Sequence, residues 1–496
     1  MNKQALPALT AVLAAFVFAP ASAQAPPTTR AAAYATLDPI FAKFAADNHV
    51  PGLVFGVVVD GKLDYVHTLG VQDATTNAPV TADTVFRIAS MSKQFAALAT
   101  LKLRDAGKVS LDAPAERYVP ELAKLHYPTT DSPKIRVRDL LSHAAGFVTD
   151  DPWGDRHLAM TEAEFSKFIA AGVPLSRAPG TGYEYSNYGF ALVGRIITNT
   201  ARQYYADYVA QKFFAPLGMR ATTYDYRTVP AARRAVGYRW ENDAWVEEPV
   251  LGPGTFGAMG GVLTSANDYA KYVAWVLNAW PPRDGAEDSI LARASVREIT
   301  RPANFAAVQP PLADGGCSRS ASYGYGVVPY QDCVLGVYFA HSGGLPGYGS
   351  NVLMIPARGL GVFAFANRTY TPASRAVREA ATALVQSKLF PARPVPVSTG
   401  LAAMAKAAEH IYAAGDVLAE RDALAMNFLL DRSAELRNRE LADLRQKFGS
   451  CQTEPMEPDT AMAATISWNC EHGALKVNLL LAPTFPPSMQ RLEIGP

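Results

Sequence analysis

Ser90-Met91-Ser92-Lys93 places a hydroxyl and an amine three residues apart. A serine hydroxyl is a weak nucleophile until a neighbouring base takes its proton, and a lysine held neutral can do this. The tetrad follows the apolar lead-in Val85-Phe86-Arg87-Ile88-Ala89 and precedes Gln94-Phe95-Ala96-Ala97-Leu98-Ala99, which favours a helix. A helix opening here puts positions i and i+3 on one face, with Lys93 beside the Ser90 oxygen. The same helix start offers unpaired backbone N–H groups where an oxyanion would form. Alone the pattern is cheap, because an N-cap serine with a solvated lysine has the same spelling.

Two further stretches raise its value. Gly182-Tyr183-Glu184-Tyr185-Ser186-Asn187-Tyr188-Gly189 reads as a loop that brings a phenol, Tyr185, and an amide, Asn187, to one point. His341-Ser342-Gly343-Gly344 follows a β-type run. Glycines there let a strand edge approach a ligand with backbone N–H groups turned toward it.

Positioning three remote stretches takes a frame assembled from distant parts of the chain. A helix is predicted over 37–48, then two alternating β-type runs, 53–59 and 63–69, joined by the hairpin signal Asp60-Gly61-Lys62. The serine helix runs on to about 105. Residues 106–250 are irregular and rich in Pro and Tyr. Short helical patterns punctuate them at 138–142, 161–171, 188–200 and 205–214, the second with a Thr161-x-x-Glu164 capping box. β-type runs return at 324–329, 335–340, 349–355 and 360–366, and 374–389 is an amphipathic helix.

Phe390-Pro391-Ala392-Arg393-Pro394-Val395-Pro396 is a stiff linker signal. Beyond it 401–448 is helical in pattern, and 461–468 and 475–481 read as strands. The fold class is therefore α+β: an antiparallel sheet flanked by helices, with an inserted all-α subdomain at about 106–250. A small C-terminal α+β domain at 401–496, cystatin-like in form, follows a linker at 391–400 and a main domain at 34–390.

Composition bounds the function. At 496 residues, 49% hydrophobic and 18% charged, the chain reads as globular, with more than one domain. A formal charge of +1 gives no reason to expect nucleic acid or an anionic membrane as partner. Lys3, the apolar run 8–19 and Ala21-Ser22-Ala23 before Gln24 form a signal-peptide pattern over 1–23, with 24–33 a flexible leader. That run is too short to span a bilayer, so the mature protein is expected to be periplasmic or secreted, without a stable membrane anchor. Export favours disulfides among the four cysteines. Of the three possible connectivities, the two local ones are preferred, Cys317 with Cys333 and Cys451 with Cys470. Neither pair has metal-ligand spacing with histidines, so no metal is expected.

With Ser90 and Lys93, Tyr185 and Asn187, and His341 and Gly343 in this order, the chain resembles the serine β-lactamase and penicillin-recognising superfamily. That superfamily is marked by S-x-x-K, then Y-x-N, then K-T-G or H-x-G. The branch it looks most like holds class C β-lactamases, D-aminopeptidases, D-specific amidases and esterases. Flanking text agrees: Leu140-Leu141-Ser142-His143-Ala144-Ala145-Gly146, Gly260-Gly261-Val262-Leu263-Thr264-Ser265 and Tyr323-Gly324-Tyr325-Gly326. The likeness covers roughly 35–390.

The resemblance implies an acyl-enzyme on Ser90, with Lys93 and Tyr185 exchanging the proton, which of them is the base being left open. It implies that Asn187 orients Lys93 and the substrate amide, and that the oxyanion sits between the N–H of Ser90 and one just past His341, at Gly344. A histidine where relatives that bind acidic groups place a lysine demotes β-lactamase action, because a near-neutral imidazole grips a carboxylate poorly. The expected function is an exported serine hydrolase of the D-amino-acid peptidase, amidase or esterase type, acting on a small-molecule or peptide substrate without metal or organic cofactor. The alternatives are a class C-like β-lactamase or D,D-carboxypeptidase, and a non-catalytic protein that binds peptidoglycan fragments or penicillin. His143, Tyr183, Tyr188 and Trp153 read as packing. Asp150, Asp151 and Asp155 read as a solvated loop, with a substrate amine as the alternative they would meet.

Overall fold

The computed structural model describes residues 27–311 and 317–496. The signal peptide expected at 1–23 and the start of the leader lie outside the described residues. Within the stretch read as leader, Thr29 caps a short helix, Arg30–Ala35, by accepting from the Ala32 N–H.

A nine-stranded sheet forms the frame. Its strands are β1 (Gly52–Val59), β2 (Lys62–Asp73), β3 (Ala78–Pro79), β4 (Asn304–Gln309), β5 (Arg319–Tyr323), β6 (Val328–Asp332), β7 (Gly336–Leu345), β8 (Tyr348–Ile355) and β9 (Leu360–Ala366). Their spatial order is β3-β2-β1-β9-β8-β7-β6-β5-β4, antiparallel throughout. The chain therefore leaves the sheet after β3 and returns more than two hundred residues later. The intervening segment carries most of the helices.

The central strands are apolar on both faces, and the alternation of side chains explains why. In β1, Val54 and Val58 join one core, while Leu53, Phe55, Val57 and Val59 join the other. The first core lies under α2 (Lys93–Asp105), α3 (Asn187–Ala201) and α4 (Ala266–Leu277); the second lies under α1 (Leu37–Asp47) and α5 (Ser374–Gln386). Helices cover both faces of the sheet, so a strand with no polar side is stable in it. Phe41 of α1 stacks on Phe55 with ring centroids 3.9 Å apart.

Local signals hold where they rest on caps. Thr161 and Glu164 form the capping box at the start of the helix Glu162–Ala171. Elsewhere tertiary pairing moved the boundaries. The run at 324–329 is mostly the turn between β5 and β6, and β4 and β5 were not legible because their residues pack against only part of the sheet. The helical insertion also carries one ribbon, Tyr238–Glu241 with Ala244–Glu247.

Past Pro391, α6 (Thr399–Ala414) and α7 (Ala434–Phe448) accompany a five-stranded antiparallel sheet. Leu401, Ile411, Trp468 and Val477 belong to its own core. Cys451 and Cys470 face each other across neighbouring strands and are bonded, as are Cys317 and Cys333. Among the described residues no helix is long and apolar enough to cross a membrane.

Phe55→Ala should leave a cavity between α1 and the sheet and destabilise the protein by about 3–5 kcal/mol. Urea denaturation read by tryptophan fluorescence measures it, and an unmoved midpoint would contradict the packing described.

Candidate active site

Ser90 does not sit in the helix that its sequence predicts. It lies in a 3-10 turn, Ala89–Ser92, and α2 begins at Lys93. Three residues per turn eclipse positions i and i+3, so Lys93 falls directly beside Ser90. Its Nζ donates to the Ser90 Oγ at 3.0 Å, to the Asn187 Oδ1 at 2.7 Å and to the Met259 carbonyl at 2.9 Å. Lys93 is fully buried. Burial pulls its amine down to about 8, against the opposing pull of Asp151, Asp155 and Asp150.

The Ser90 turn is clamped by segments remote in sequence. Ala89 is held at φ +48°, the left-handed region that disfavours a side chain. The Ile88 N–H donates to the Val262 carbonyl at 3.0 Å, and the Ile88 carbonyl accepts from the Ser350 hydroxyl at 2.8 Å. The Ser92 hydroxyl bridges the Ala89 carbonyl and the Val262 N–H. On β7, Gly343 packs so closely that a methyl would collide with the Ile88 carbonyl and the Ser350 hydroxyl. Only glycine lets β7 run this near the nucleophile. Ser90, Gly343 and Gly344 all line one cavity of about 720 Å³.

Tyr185 and Asn187 arrive from the start of α3. Asp150, at the end of a loop, accepts from the N–H groups of Asn187 and Tyr188 at 2.7 and 2.8 Å, and so holds the first turn of α3. The Asn187 amide is oriented by chemistry alone. Lys93 can only donate and Asp151 only accept, so Oδ1 faces the lysine while Nδ2 donates to Asp151. Both ends of the amide are engaged by the protein, and the second N–H of Nδ2 is the group left for the expected contact with a substrate amide. The Tyr185 ring lies 4.8 Å from the Lys93 Nζ. Burial, foremost, holds the Tyr185 phenol well above its usual range, and the adjacent Ser90 offsets only part of this. Tyr185 is thus a neutral proton donor at rest, and Lys93 is the group whose proton is easily lost.

His341 comes from β7, with its ring centroid 6.4 Å from that of Tyr185. Its Nδ1 meets the Ser342 carbonyl at 2.6 Å and its Nε2 meets the Tyr323 hydroxyl at 2.8 Å. A carbonyl cannot donate, so Nδ1 carries the hydrogen and Nε2 accepts from the phenol. Burial, with Lys93 nearby, drives the imidazole down to about 3, so it is neutral. With both nitrogens in use, His341 has no free ring group for a substrate. What this corner offers is backbone, from Gly343 and Gly344.

Several residues here were legible only as flanking text. Tyr323 fixes His341, and Gly326, at φ +71°, lets the chain pass the backbone of Lys93. The Met259 carbonyl carries no side-chain signal at all. His143 is fully buried and neutral, its ring centroid 4.2 Å from that of Tyr185, tilted, and 4.3 Å from that of Tyr323, edge-on, and its Nδ1 accepts from the Ser186 N–H. Tyr188 packs edge-on against Phe147, and Trp153 is partly exposed, stacked on His157. Tyr183 lines the cavity.

The acidic stretch read as a solvated loop needs correction. Asp150 and Asp155 are buried and only Asp151 is exposed. Asp150 faces inward because it caps α3, and Asp155 because its carboxylate accepts from the Tyr370 hydroxyl at 3.0 Å. Burial, then Asp151, raises Asp155 to about 7.

Comparison with known proteins bears on family and fold. A family model described as Beta-lactamase covers residues 37–387. Beta-lactamase-like protein 2 of Dictyostelium discoideum is 30% identical over 256 residues, 50% of this chain and 46% of that protein. The chain thus spans about half the length of that relative. Protein flp of Staphylococcus aureus (strain MW2) is 25% identical over 366 residues, 71% of this chain and 67% of that protein. The octameric penicillin-binding protein homologue from Pyrococcus abyssi superposes with a TM-score of 0.61 at 19% identity, over 93% of this chain and 99% of that one. Beta-Lactamase/D-Alanine Carboxypeptidase from Pseudomonas syringae gives 0.56 at 23%, over 72% and 99%. Both likenesses are of fold.

Gly343→Ala is expected to push β7 off the Ser90 turn and slow labelling of Ser90 by a fluorophosphonate probe on the order of a hundredfold. An unchanged labelling rate would mean that the contact has slack.

Proposed function

Because this chain belongs to the beta-lactamase family, we propose that it is an exported serine hydrolase of the class C-like branch, forming an acyl-enzyme on Ser90 with amide or ester substrates. Its substrates are of the D-amino-acid peptidase, amidase or esterase type. The observation that carries this reading is the Lys93 amine, fully buried, 3.0 Å from the Ser90 hydroxyl and brought down to about 8 by burial. An ordinary surface lysine stays protonated at neutral pH and cannot take a proton. This one is poised to.

In the proposed cycle Lys93, in its neutral form, removes the Ser90 proton as the oxygen attacks the acyl carbon. The carbonyl oxygen becomes an oxyanion held by the N–H groups of Ser90 and Gly344. Tyr185, whose phenol stays protonated at rest, donates to the leaving group and is reprotonated through Lys93. Water then attacks the acyl-enzyme along the same path. Asn187 and Met259 keep the amine aimed at Ser90 throughout.

His341 argues against the reading as a class C-like β-lactamase or D,D-carboxypeptidase. Neutral, with both nitrogens engaged, it supplies no cation for a substrate carboxylate. Nitrocefin turnover as fast as ester turnover would favour that second reading.

Ser90→Ala should abolish p-nitrophenyl acetate hydrolysis, and a rate within tenfold of the parent's would refute the mechanism. Lys93→Arg, permanently charged, should lower kcat/KM by roughly 10²–10⁴-fold. Since the reactive form of Lys93 is the deprotonated one, kcat/KM should rise with pH and level off above about 8. A pH profile already flat from 6 to 9 would exclude Lys93 as the base.

A further inference from the structure

Asp151 and Asp155 have no part in the proton path from Ser90, yet both line the cavity into which Ser90 opens. Asp155 is 1% exposed. One of its oxygens accepts from Tyr370; the other, Oδ1, is buried and has no hydrogen-bond partner among the described residues. Leaving a buried acceptor unpaired is unfavourable, more so for a charged one, and native structures seldom tolerate it without a ligand or other use.

The local charges point the same way. Three carboxylates, Asp150, Asp151 and Asp155, lie around Lys93; of the arginines that also line the cavity, Arg319, Arg375 and Arg378, the last is paired with Asp332. Asp150 is satisfied by two backbone N–H groups. Asp151 receives only the neutral Asn187 amide, and Asp155 only a phenol. Among the described residues neither Asp151 nor Asp155 is held by a cation in a salt bridge.

Tyr370 ties Asp155 to the place of the reacting carbonyl. It is held at φ +49°, its hydroxyl is on Asp155, and its ring packs on Gly344 so closely that a methyl at Gly344 would lie 2.7 Å from it. A residue held in that region is over-determined by its surroundings, as binding sites often require. Gly344 is the proposed oxyanion donor, so a single side chain separates Asp155 from the position of the carbonyl oxygen. An α-amine, two bonds from an acyl carbon, is the substrate cation nearest that position.

Building on the acyl-transfer reading, we propose that Asp155, assisted by Asp151, is the subsite for a protonated α-amine on the acyl portion of the substrate. The preferred substrates are then amides or esters of amino acids that have a free N-terminus. Asp155 supplies the unpaired oxygen, and Asp151 completes the counter-charge at the exposed mouth.

The test compares D-alanine p-nitroanilide with N-acetyl-D-alanine p-nitroanilide, and the L pair in parallel, on the full chain. The free amine should be preferred at least tenfold in kcat/KM, mainly through KM. Asp155→Asn and Asp151→Asn should each reduce that preference by roughly tenfold, the effect expected for a lost charged hydrogen bond. Asp151 is exposed, so its variant decides the matter should Asp155→Asn melt early. Equal turnover of acetylated and free substrates by the parent would overturn the subsite, as would a preference that survives in a folded variant. Failure to cleave any of the anilides would also overturn it. The p-nitrophenyl acetate assay on Ser90→Ala reports separately: a surviving rate there sinks the Ser90 chemistry itself, whatever the anilides show.

Discussion

A single amine, stripped of water and shared among Ser90, Asn187 and Met259, is the interaction on which the rest of this site depends. Burying a charged ammonium is unfavourable by several kcal/mol unless acceptors surround it. The protein supplies three acceptors in direct contact and carboxylates farther out. That balance leaves the amine able to gain and lose a proton near neutral pH. The loop that carries Asp150, the first turn of α3 and the short helix Gly257–Gly260 all exist in positions that this amine needs.

The side chains around the amine are occupied by one another. Asn187 spans Lys93 and Asp151, and His341 spans Tyr323 and its own strand. Recognition of a substrate therefore falls to the second N–H of Asn187, to backbone at Gly343 and Gly344 and to groups at the cavity wall. A network satisfied in this way is rigid, which is how a site keeps its reacting groups aligned before anything binds.

The main helices, the hairpin and the central strands could be read from the chain because their apolar periodicity and caps are local. The glycines of the third motif were legible too, since a close approach of backbone leaves few other choices. The 3-10 geometry at Ser90 was hidden, because the forces that set it come from Val262, Ser350 and Gly343, far away in sequence. The acidic loop misled for the same reason. Nothing near Asp150 announces that it caps a helix beginning 37 positions later, and nothing near Asp155 announces Tyr370. His341 was assigned by its neighbours in the motif, whereas its neutral state is decided by burial beside Lys93, its tautomer by the Ser342 carbonyl, and its second nitrogen is taken by Tyr323 from the flanking text.

The left-handed Ala89 has a temporal meaning. Its conformation persists only while residues from positions 262, 343 and 350 press on the adjoining peptide, so the hydroxyl gains its special surroundings once nearly the whole main body has been synthesised and closed. A half-made chain carries there an ordinary alcohol, harmless to whatever esters or amides surround it. Assembly itself acts as the safety catch.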